Sequence, residues 1–446
     1  MQMHPNTINS SFNIISKDFA RAFGVALIME GLPLAWILRY YFPLTFNLSN
    51  IFFIAGILFM IDFRKLYRVF AAYDKSSLSF IPLLFTIPAF IAALFSDYIS
   101  DVVYFVFTFA FLLGLRSLYV RQLILLPQAF VIVGFLTCIS TVVFLFISGY
   151  SFTVSRLVLG ETYSPGFLAH VASLIIISSL FLLFFYPYNS IKLLTFLAKI
   201  NLSLGSVILV LTLSRSPYIG IFSALCFLLA RFLIFRLFRI SVDERTKDIL
   251  YSQYKKQKSG KYKYKCIGFL LSILITLAFL LFIIFFEDLY NNLSSLLISK
   301  AFEYLDRLWI IIINGSETYL RGGSQDMSSQ MRVNLIDYAM RNLSDLGHGY
   351  RALWIDNPVL QSFYDGGILG FSVFVLITLV IPICLISRSL FYKSKHPVYI
   401  FSSCLYVYYI PYLFLHGHPY SYAIWTNVIF FYSIFSMRNT WLTDKT

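Results

Sequence analysis

The feature that most constrains this chain is a succession of apolar runs, each about as long as one membrane-crossing helix. A helix needs roughly 20 mostly apolar residues to cross the hydrocarbon core of a bilayer. Charged residues make up 13% of the chain, against about 25% in soluble domains. The pattern predicts an all-α polytopic membrane protein, one integral membrane domain over residues 1–446 with about 12 transmembrane helices. The predicted spans are residues 22–42, 46–63, 78–96, 102–119, 122–147, 167–187, 196–213, 217–235, 266–286, 366–387, 397–415 and 420–436.

The positive charges are unevenly divided between the two sides of these spans. If the spans alternate in direction from a cytoplasmic N-terminus, nine of the 35 Lys and Arg residues face outward, and eight of those nine are arginine. Lys and Arg concentrate in the cytoplasmic loops of membrane proteins. The asymmetry therefore predicts that both termini are cytoplasmic. In a soluble protein a net charge of +14 would suggest nucleic acid, but charge beside the spans indicates membrane lipid and no nucleic acid.

Two hydrophilic stretches interrupt the apolar pattern. Residues 236–265 are rich in lysine and lack apolar periodicity, which predicts a solvated cytoplasmic loop that touches anionic lipid. Residues 287–365 form a long outer loop with helical patterns. Loops of this length usually carry function or fold as a small unit. The outer loop is therefore where we expect a functional site.

The sequence disfavours two classes of membrane transporter. The chain has neither a Walker A motif nor a nucleotide-binding glycine-rich turn, so ATP-driven pumping has no support. Glu30 and His170 are the clearest ionisable residues within the predicted spans. A proton-coupled or ion-coupled transporter usually needs more such groups near the middle of the membrane.

The outward arginines are candidates for binding an anion. Arg215 lies in TLSRSPYIG, a tight outer turn in which Pro217 is well placed to open the next helix. That helix N-terminus and the flanking serine hydroxyls would add donors to a guanidinium fork suited to phosphate oxygens. The alternative for Arg215 is snorkelling to the lipid interface. For Arg156, in another outer loop, ligand contact and a salt bridge with Glu161 remain equal alternatives.

Periodicity places a further arginine, Arg332, on the inward face of a helix in SSQMRVNLIDYAMRNL. An arginine on such a stripe is poorly explained by solvation alone. Arg341 falls on the opposite, polar face and is predicted to be solvated. The apolar residues predicted to share the face of Arg332 are Ile336, Ala339, Met340 and Leu343.

Ordered motifs between about Leu202 and Ile386 resemble the O-antigen polymerase and ligase superfamily. They are TLSRSPYIG, SSQMRVNLIDYAM and LGHGYRALWIDNPVLQSFYDGGILG. They are similar to that family's SR turn between spans, its outer-loop arginine that opens a helix, its G-x-G turn, its HN-x-x-L-Q-like stretch and its acidic-x-G-[ILV]-[ILV]-G entry into a span. The order and sidedness of the motifs carry the resemblance, because each motif alone is degenerate.

The resemblance implies a metal-independent, cofactor-free glycosyltransferase with a GT-C-like fold in the bacterial inner membrane. Residues 287–365 would be a periplasmic loop carrying the active site. Donor and acceptor would be undecaprenyl-diphosphate-linked glycans, with Arg215 and Arg332 on the diphosphate and Arg156 as a further candidate. Breaking the sugar C1–O bond leaves negative charge on the diphosphate, which fixed guanidinium groups stabilise as it develops.

One position departs from the family pattern. Where the ligase branch has histidine before asparagine, this chain has Asp356 before Asn357. That histidine is thought to activate the acceptor hydroxyl, so the candidates for this role here are Asp356, His348, or the pair His416 and His418. The candidate sugar-binding residues are Asn357, Gln361, His416 and His418, and the outer-loop aromatics that are candidates for stacking on sugar are Trp354, Tyr350 and Tyr364.

The leading hypothesis is a Wzy-type polymerase that extends O-antigen or a related surface polysaccharide in lipopolysaccharide biosynthesis. A chain-length regulator is a further candidate partner. The aspartate at position 356 favours polymerase over the ligase that moves finished glycan to lipid A core. From a different class, a lipid-linked oligosaccharide flippase would place its cationic groups in a cavity within the spans rather than at one surface.

Overall fold

The computed structural model describes residues 5–41, 48–61, 77–118, 120–147, 165–185, 192–212, 214, 216–237, 327–391 and 397–436. Within these ranges the regular elements are all helices. The prediction of an all-α protein is confirmed. The α-helices are α1 (Pro5–Glu30), α2 (Leu32–Tyr41), α3 (Leu48–Met60), α4 (Leu83–Leu94), α5 (Ile99–Arg116), α6 (Val120–Leu123), α7 (Leu126–Ile147), α8 (Pro165–Phe184), α9 (Lys192–Thr212), α10 (Ser216–Leu237), α11 (Met327–Arg341), α12 (Pro358–Val375), α13 (Ile381–Phe391), α14 (Pro397–Tyr409), α15 (Tyr412–Leu415) and α16 (Tyr422–Ser436).

Several helices are long and apolar enough to cross a membrane. Five pass this test in the described residues, and a sixth is added if the bent pair of α1 and α2 counts as one span. Shorter apolar helices occur in α3, α4, α10 and α16. Each predicted span coincides with a helix, apart from 266–286, which lies outside the described residues. The chain is thus a helical membrane protein, while the total of about 12 spans stays a prediction.

The first predicted span is bent rather than straight. Helices α1 and α2 meet at 70°, with Gly31 between them. Pro33 follows in the first turn of α2 and has no backbone N–H to give to the preceding turn, which breaks the helix there. Glu30 is fully buried at the bend, and its Oε1 accepts a hydrogen bond from the Ser178 hydroxyl at 3.4 Å.

Helix α16 forms the centre of the packing. Every residue from Ile424 to Ser436 is buried, polar ones included. A helix that is apolar on all sides is expected in the interior rather than at the surface. Helices α5 and α14 pack against it, so the segments that precede α5 and α16 are held close together at one end of the bundle.

Contacts between helix ends follow the predicted alternation of the spans. Residues from ends predicted to be outside meet each other, and residues from ends predicted to be inside meet each other. The first group pairs Asp101 with Arg351 and Asp356 with Gly417, and the second pairs Arg116 with Ser79, Ser117 with Met60 and Arg231 with Ser389. The candidate site therefore lies at one end of the bundle, and the compartment that this end faces stays a prediction.

Candidate active site

Two segments of backbone cross at the entry to α12. The His348 N–H donates to the Tyr364 carbonyl and the Gly349 N–H to the Asp365 carbonyl, both at 2.9 Å, and the Ile368 N–H donates to the Asp345 carbonyl at 3.1 Å. The crossing joins residues 345–349 to residues 364–368, so the G-x-G and DGGILG motifs form one unit. This unit fixes the loop that carries residues 350–357.

Glycine is required at two positions of this crossing. Gly347 has a φ of 78° and Gly367 a φ of 60°, a region that residues with a Cβ atom rarely adopt. A Cβ added to Gly347 would lie 2.5 Å from the Gly367 nitrogen, and one added to Gly367 would overlap the Asp345 carbonyl oxygen. The family-like glycine spacing thus has a steric reason: two backbones approach too closely for any side chain.

We expect Gly367→Ala to destabilise the protein by about 2–4 kcal/mol, through strained backbone and overlap at the crossing. Gly366→Ala is the matched control, because Gly366 is exposed and an added Cβ meets nothing within 4 Å. Thermal unfolding of the purified protein in detergent measures both. Equal melting temperatures for the two variants would contradict the crossing as described.

Asp356 meets the loop between α15 and α16. Its Oδ1 accepts a hydrogen bond from the Gly417 N–H at 2.7 Å and lies 3.5 Å from His416 Nδ1. Asp356 has a φ of 57°, which aspartate tolerates better than most residues. Two candidates from separate parts of the chain, Asp356 and His416, are therefore brought together, as an aspartate beside an imidazole.

His418 joins the same site from the other side of Gly417. Its ring centroid lies 4.6 Å from that of Trp354. Burial lowers the pKa of His418 to about 3, and the nearby Arg351 guanidinium acts in the same direction. Its buried Nδ1 has no hydrogen-bond partner among the described residues. His418 is therefore a neutral imidazole across the physiological range, able to donate at one ring nitrogen and accept at the other.

A buried ion pair anchors the loop to α5. Asp101 Oδ2 lies 2.8 Å from an Arg351 guanidinium nitrogen and accepts a hydrogen bond from the Tyr350 hydroxyl, also at 2.8 Å. Burial and the Asp101 carboxylate both raise the pKa of Tyr350, so this hydroxyl stays a donor. This pair was not predicted from the sequence. The sequence shows only that an acid and an arginine are predicted on the same side of the membrane. That pattern does not indicate that two residues 250 positions apart are partners.

Asn357 and Gln361 form local contacts. Asn357 caps α12, since its side chain accepts a hydrogen bond from the Leu360 N–H at 3.0 Å. Gln361 is fully buried, and its amide accepts from the Ile355 N–H at 3.4 Å and donates to Asp365 at 3.2 Å. These contacts favour a role for both residues in shaping the loop over the predicted role in binding sugar.

His348, the other candidate base, supports a turn. Its Nε2 lies 2.6 Å from the Asn342 carbonyl oxygen, and its ring stacks on Tyr364 with centroids 4.3 Å apart. The imidazole is exposed, but these two contacts tie it to the end of α11 and the entry of α12. Geometry therefore favours Asp356 with His416 over His348 as the proton-accepting group.

The predicted diphosphate-binding arginines are only partly described. Arg156 and Arg215 lie outside the described residues, as does the side chain of Arg332. Ser216, which follows Arg215, forms a side-chain hydrogen bond with Tyr412, and the Tyr412 ring lies 6.2 Å from that of His416. The residue next to Arg215 is thus connected to the Asp356 and His416 site through one tyrosine.

The packing of α11 agrees with part of the inward face predicted to contain Arg332. Ile336 and Ala339, four and seven residues after Arg332, pack against Ile355 and Tyr364, so the face that Arg332 shares by helical periodicity is the one turned to the loop. Met340 and Leu343, predicted on the same stripe, are exposed. The prediction that these two residues lie on a buried stripe is wrong. For Leu343 the reason is that α11 ends at Arg341, so this residue lies beyond the helix.

Arg341 behaves as predicted. Its side chain is 75% exposed and pairs with Asp337, one turn earlier, at 2.8 Å.

The arrangement offers proton transfer beside an exposed aromatic surface. An aspartate, two imidazoles and the indole of Trp354 meet where the outer loop and the loop between α15 and α16 touch. Among the described residues, no group of three or more His, Cys, Asp or Glu side chains is placed to hold a metal ion. Comparison with protein-family models, with curated proteins and with solved structures gives no match, so the family resemblance rests on the sequence motifs alone.

Proposed function

We propose that the chain is a glycosyltransferase that polymerises undecaprenyl-diphosphate-linked repeat units at the outer face of the bacterial inner membrane. The observation that carries this proposal is the meeting of Asp356 with His416 and Gly417. Asp356 belongs to the stretch that resembles the polymerase and ligase superfamily, and its partners come from a loop 61 residues further along the chain. A surface loop held this closely is typical of a site rather than of a passive connection.

The proposed reaction transfers the growing chain from its lipid carrier to the next lipid-linked unit. An acceptor sugar hydroxyl attacks C1 of the donor sugar, and the bond between C1 and the diphosphate oxygen breaks. The hydroxyl proton goes to the Asp356 and His416 pair, and the carrier leaves as undecaprenyl diphosphate. Proton transfer of this kind typically contributes about 10² to 10⁴-fold to the rate.

The leaving diphosphate needs positive charge close to this pair. Helical periodicity predicts that Arg332 shares the face of α11 whose Ile336 and Ala339 pack on the same loop. Arg215 precedes the serine that bonds to Tyr412. We assign both to the diphosphate, with Arg156 as a further contact. A guanidinium fork that tightens on the diphosphate as charge develops lowers the barrier to bond cleavage.

His416 bears on the choice between polymerase and ligase. The chain lacks the histidine that the ligase pattern has before asparagine, yet His416 Nδ1 lies 3.5 Å from the aspartate that replaces it. An imidazole is therefore available at the same place. The residue at position 356 therefore distinguishes polymerase from ligase less sharply than the sequence suggests. The product of the reaction decides between the two activities.

The test is an assay of the purified protein with undecaprenyl-diphosphate repeat units. A ladder of lengthened lipid-linked glycan is the expected result. Glycan transferred to lipid A core instead would identify a ligase, and unchanged substrate moved across vesicles would identify a flippase. A preparation that retains its fold and gives none of these products from the lipid-linked unit would remove the proposed function.

A further inference from the structure

We propose that Trp354 is a stacking platform for a neutral pyranose ring of the glycan, placed beside Asp356. The proposal rests on the proposed function and deepens it, by assigning where a sugar of the lipid-linked substrate lies. It stands on three observations: the exposure of the indole, the contact of the indole with a paired guanidinium, and a neighbouring imidazole nitrogen that has no hydrogen-bond partner among the described residues.

The indole of Trp354 is the available ring among the three aromatic candidates of the outer loop. The Tyr350 hydroxyl donates a hydrogen bond to Asp101, and the Tyr350 ring packs on Tyr420 with centroids 4.2 Å apart. Tyr364 is buried beneath His348. Trp354 is 49% exposed, although neighbouring side chains hold it in place. Trp354 therefore offers a sugar the most exposed ring of the three.

The indole is supported by a charge-balanced stack. The Arg351 guanidinium lies 5.3 Å from the Trp354 ring centroid and 4.2 Å from that of Tyr98. Asp101 pairs with this guanidinium, so the support carries no net charge. An aromatic ring fixed in this way loses little conformational entropy on binding. The balance of charge favours a neutral sugar over an anionic one.

Polar side chains lie close to the indole. His418, whose ring centroid lies 4.6 Å from that of Trp354, has a buried Nδ1 with no hydrogen-bond partner among the described residues. Asp356 follows Trp354 by two residues and is connected to His416. The C–H groups of a pyranose carry slight positive charge and pack on the negative face of an aromatic ring, while its hydroxyls point outward to such groups. A carbohydrate satisfies both kinds of contact.

The experiment measures binding of lipid-free sugars to the full-length protein in detergent. Saturation-transfer NMR is recorded with a panel of methyl pyranosides: glucoside, galactoside, N-acetylglucosaminide and rhamnoside. At least one is expected to bind, with affinity reduced about tenfold in Trp354→Ala and largely kept in Trp354→Phe, which retains a ring. Leu346→Ala is the matched control, because Leu346 is a highly exposed apolar residue of the same loop.

Each result decides the proposal. Absence of binding by every member of the panel, or equal binding by wild type and Trp354→Ala, would overturn it. An equal loss in Leu346→Ala would overturn it too, by assigning the effect to folding of the loop. The chain has five tryptophans, so the emission of Trp354 is taken as the difference between wild type and Trp354→Phe. Quenching of that difference by brominated lipid, unaltered by pyranoside, would assign the ring to the membrane interface instead.

The platform and the proposed function fail separately. Pyranoside binding that depends on Trp354, in a protein that does not lengthen lipid-linked units, keeps the platform and removes the polymerase. Normal lengthening by Trp354→Ala keeps the polymerase and removes the platform.

Discussion

Replacing Asp356 with asparagine is expected to slow chain lengthening by about 10² to 10⁴-fold, the usual contribution of a positioned proton acceptor. Asparagine is the substitution at this position that changes the fewest other properties. Its amide oxygen can still accept the hydrogen bond that Asp356 receives from Gly417, and asparagine tolerates the positive φ of 57° found there. The variant therefore removes the carboxylate charge and little else. Turnover is measured with purified protein and lipid-linked repeat units.

The neighbouring residues make this result specific. Asp345→Asn is the matched control, because Asp345 is exposed on the same loop and contributes its backbone carbonyl to the crossing with Ile368. It is expected to turn over like the wild type. His416→Gln is expected to fall into the same range as Asp356→Asn if the two groups act as a unit, and the double variant then loses little more. Undiminished turnover in Asp356→Asn would remove Asp356 from the chemistry.

The helices at the predicted spans were predictable because their signal is local. A run of about 20 apolar residues has few alternatives to a helix, since backbone groups in lipid must be paired within the segment. The bend at Gly31 was not predicted, because an apolar run indicates the length of a span and not whether its helix is straight. Pro33 was the residue that could have indicated the break. The buried centre formed by α16 also has no separate signal, because lipid and protein interior both favour apolar side chains.

The site was predictable as a set of residues, and its pairings were not. The order of motifs pointed to Asp356, and the histidines at 416 and 418 were candidates because the family's histidine is absent there. The structure brings Asp356 and His416 within 3.5 Å. The partnership of Asp101 with Arg351 depends on the packing of α5 against distant helices, which no pattern in either segment encodes. Gln361 was predicted to bind sugar because of its residue type. In the structure it is fully buried and its amide donates to Asp365, so its contacts are within the loop.

The arginine predictions test the other half of the mechanism. Arg332→Ala and Arg215→Ala are each expected to lower turnover by about 10² to 10³-fold, the cost typical of losing one fixed donor to a developing negative charge. Arg332→Lys is expected to recover little, because an ammonium group lacks the planar fork that binds two phosphate oxygens at once. Turnover is measured in the same assay, with thermal unfolding to show that each variant keeps its fold.

Helix α11 contains its own control for this prediction. Arg341 lies nine residues after Arg332 and on the other side of the helix, and its side chain is 75% exposed and paired with Asp337. An exposed pair of this kind contributes about 0–1 kcal/mol to stability, so Arg341→Ala should leave both fold and turnover unchanged. If Arg332→Ala and Arg341→Ala behave alike, the positive charge of α11 acts only on solvent or lipid. The leaving diphosphate would then need another partner. If Arg215→Ala also keeps full activity, the diphosphate model loses both of the arginines on which it depends.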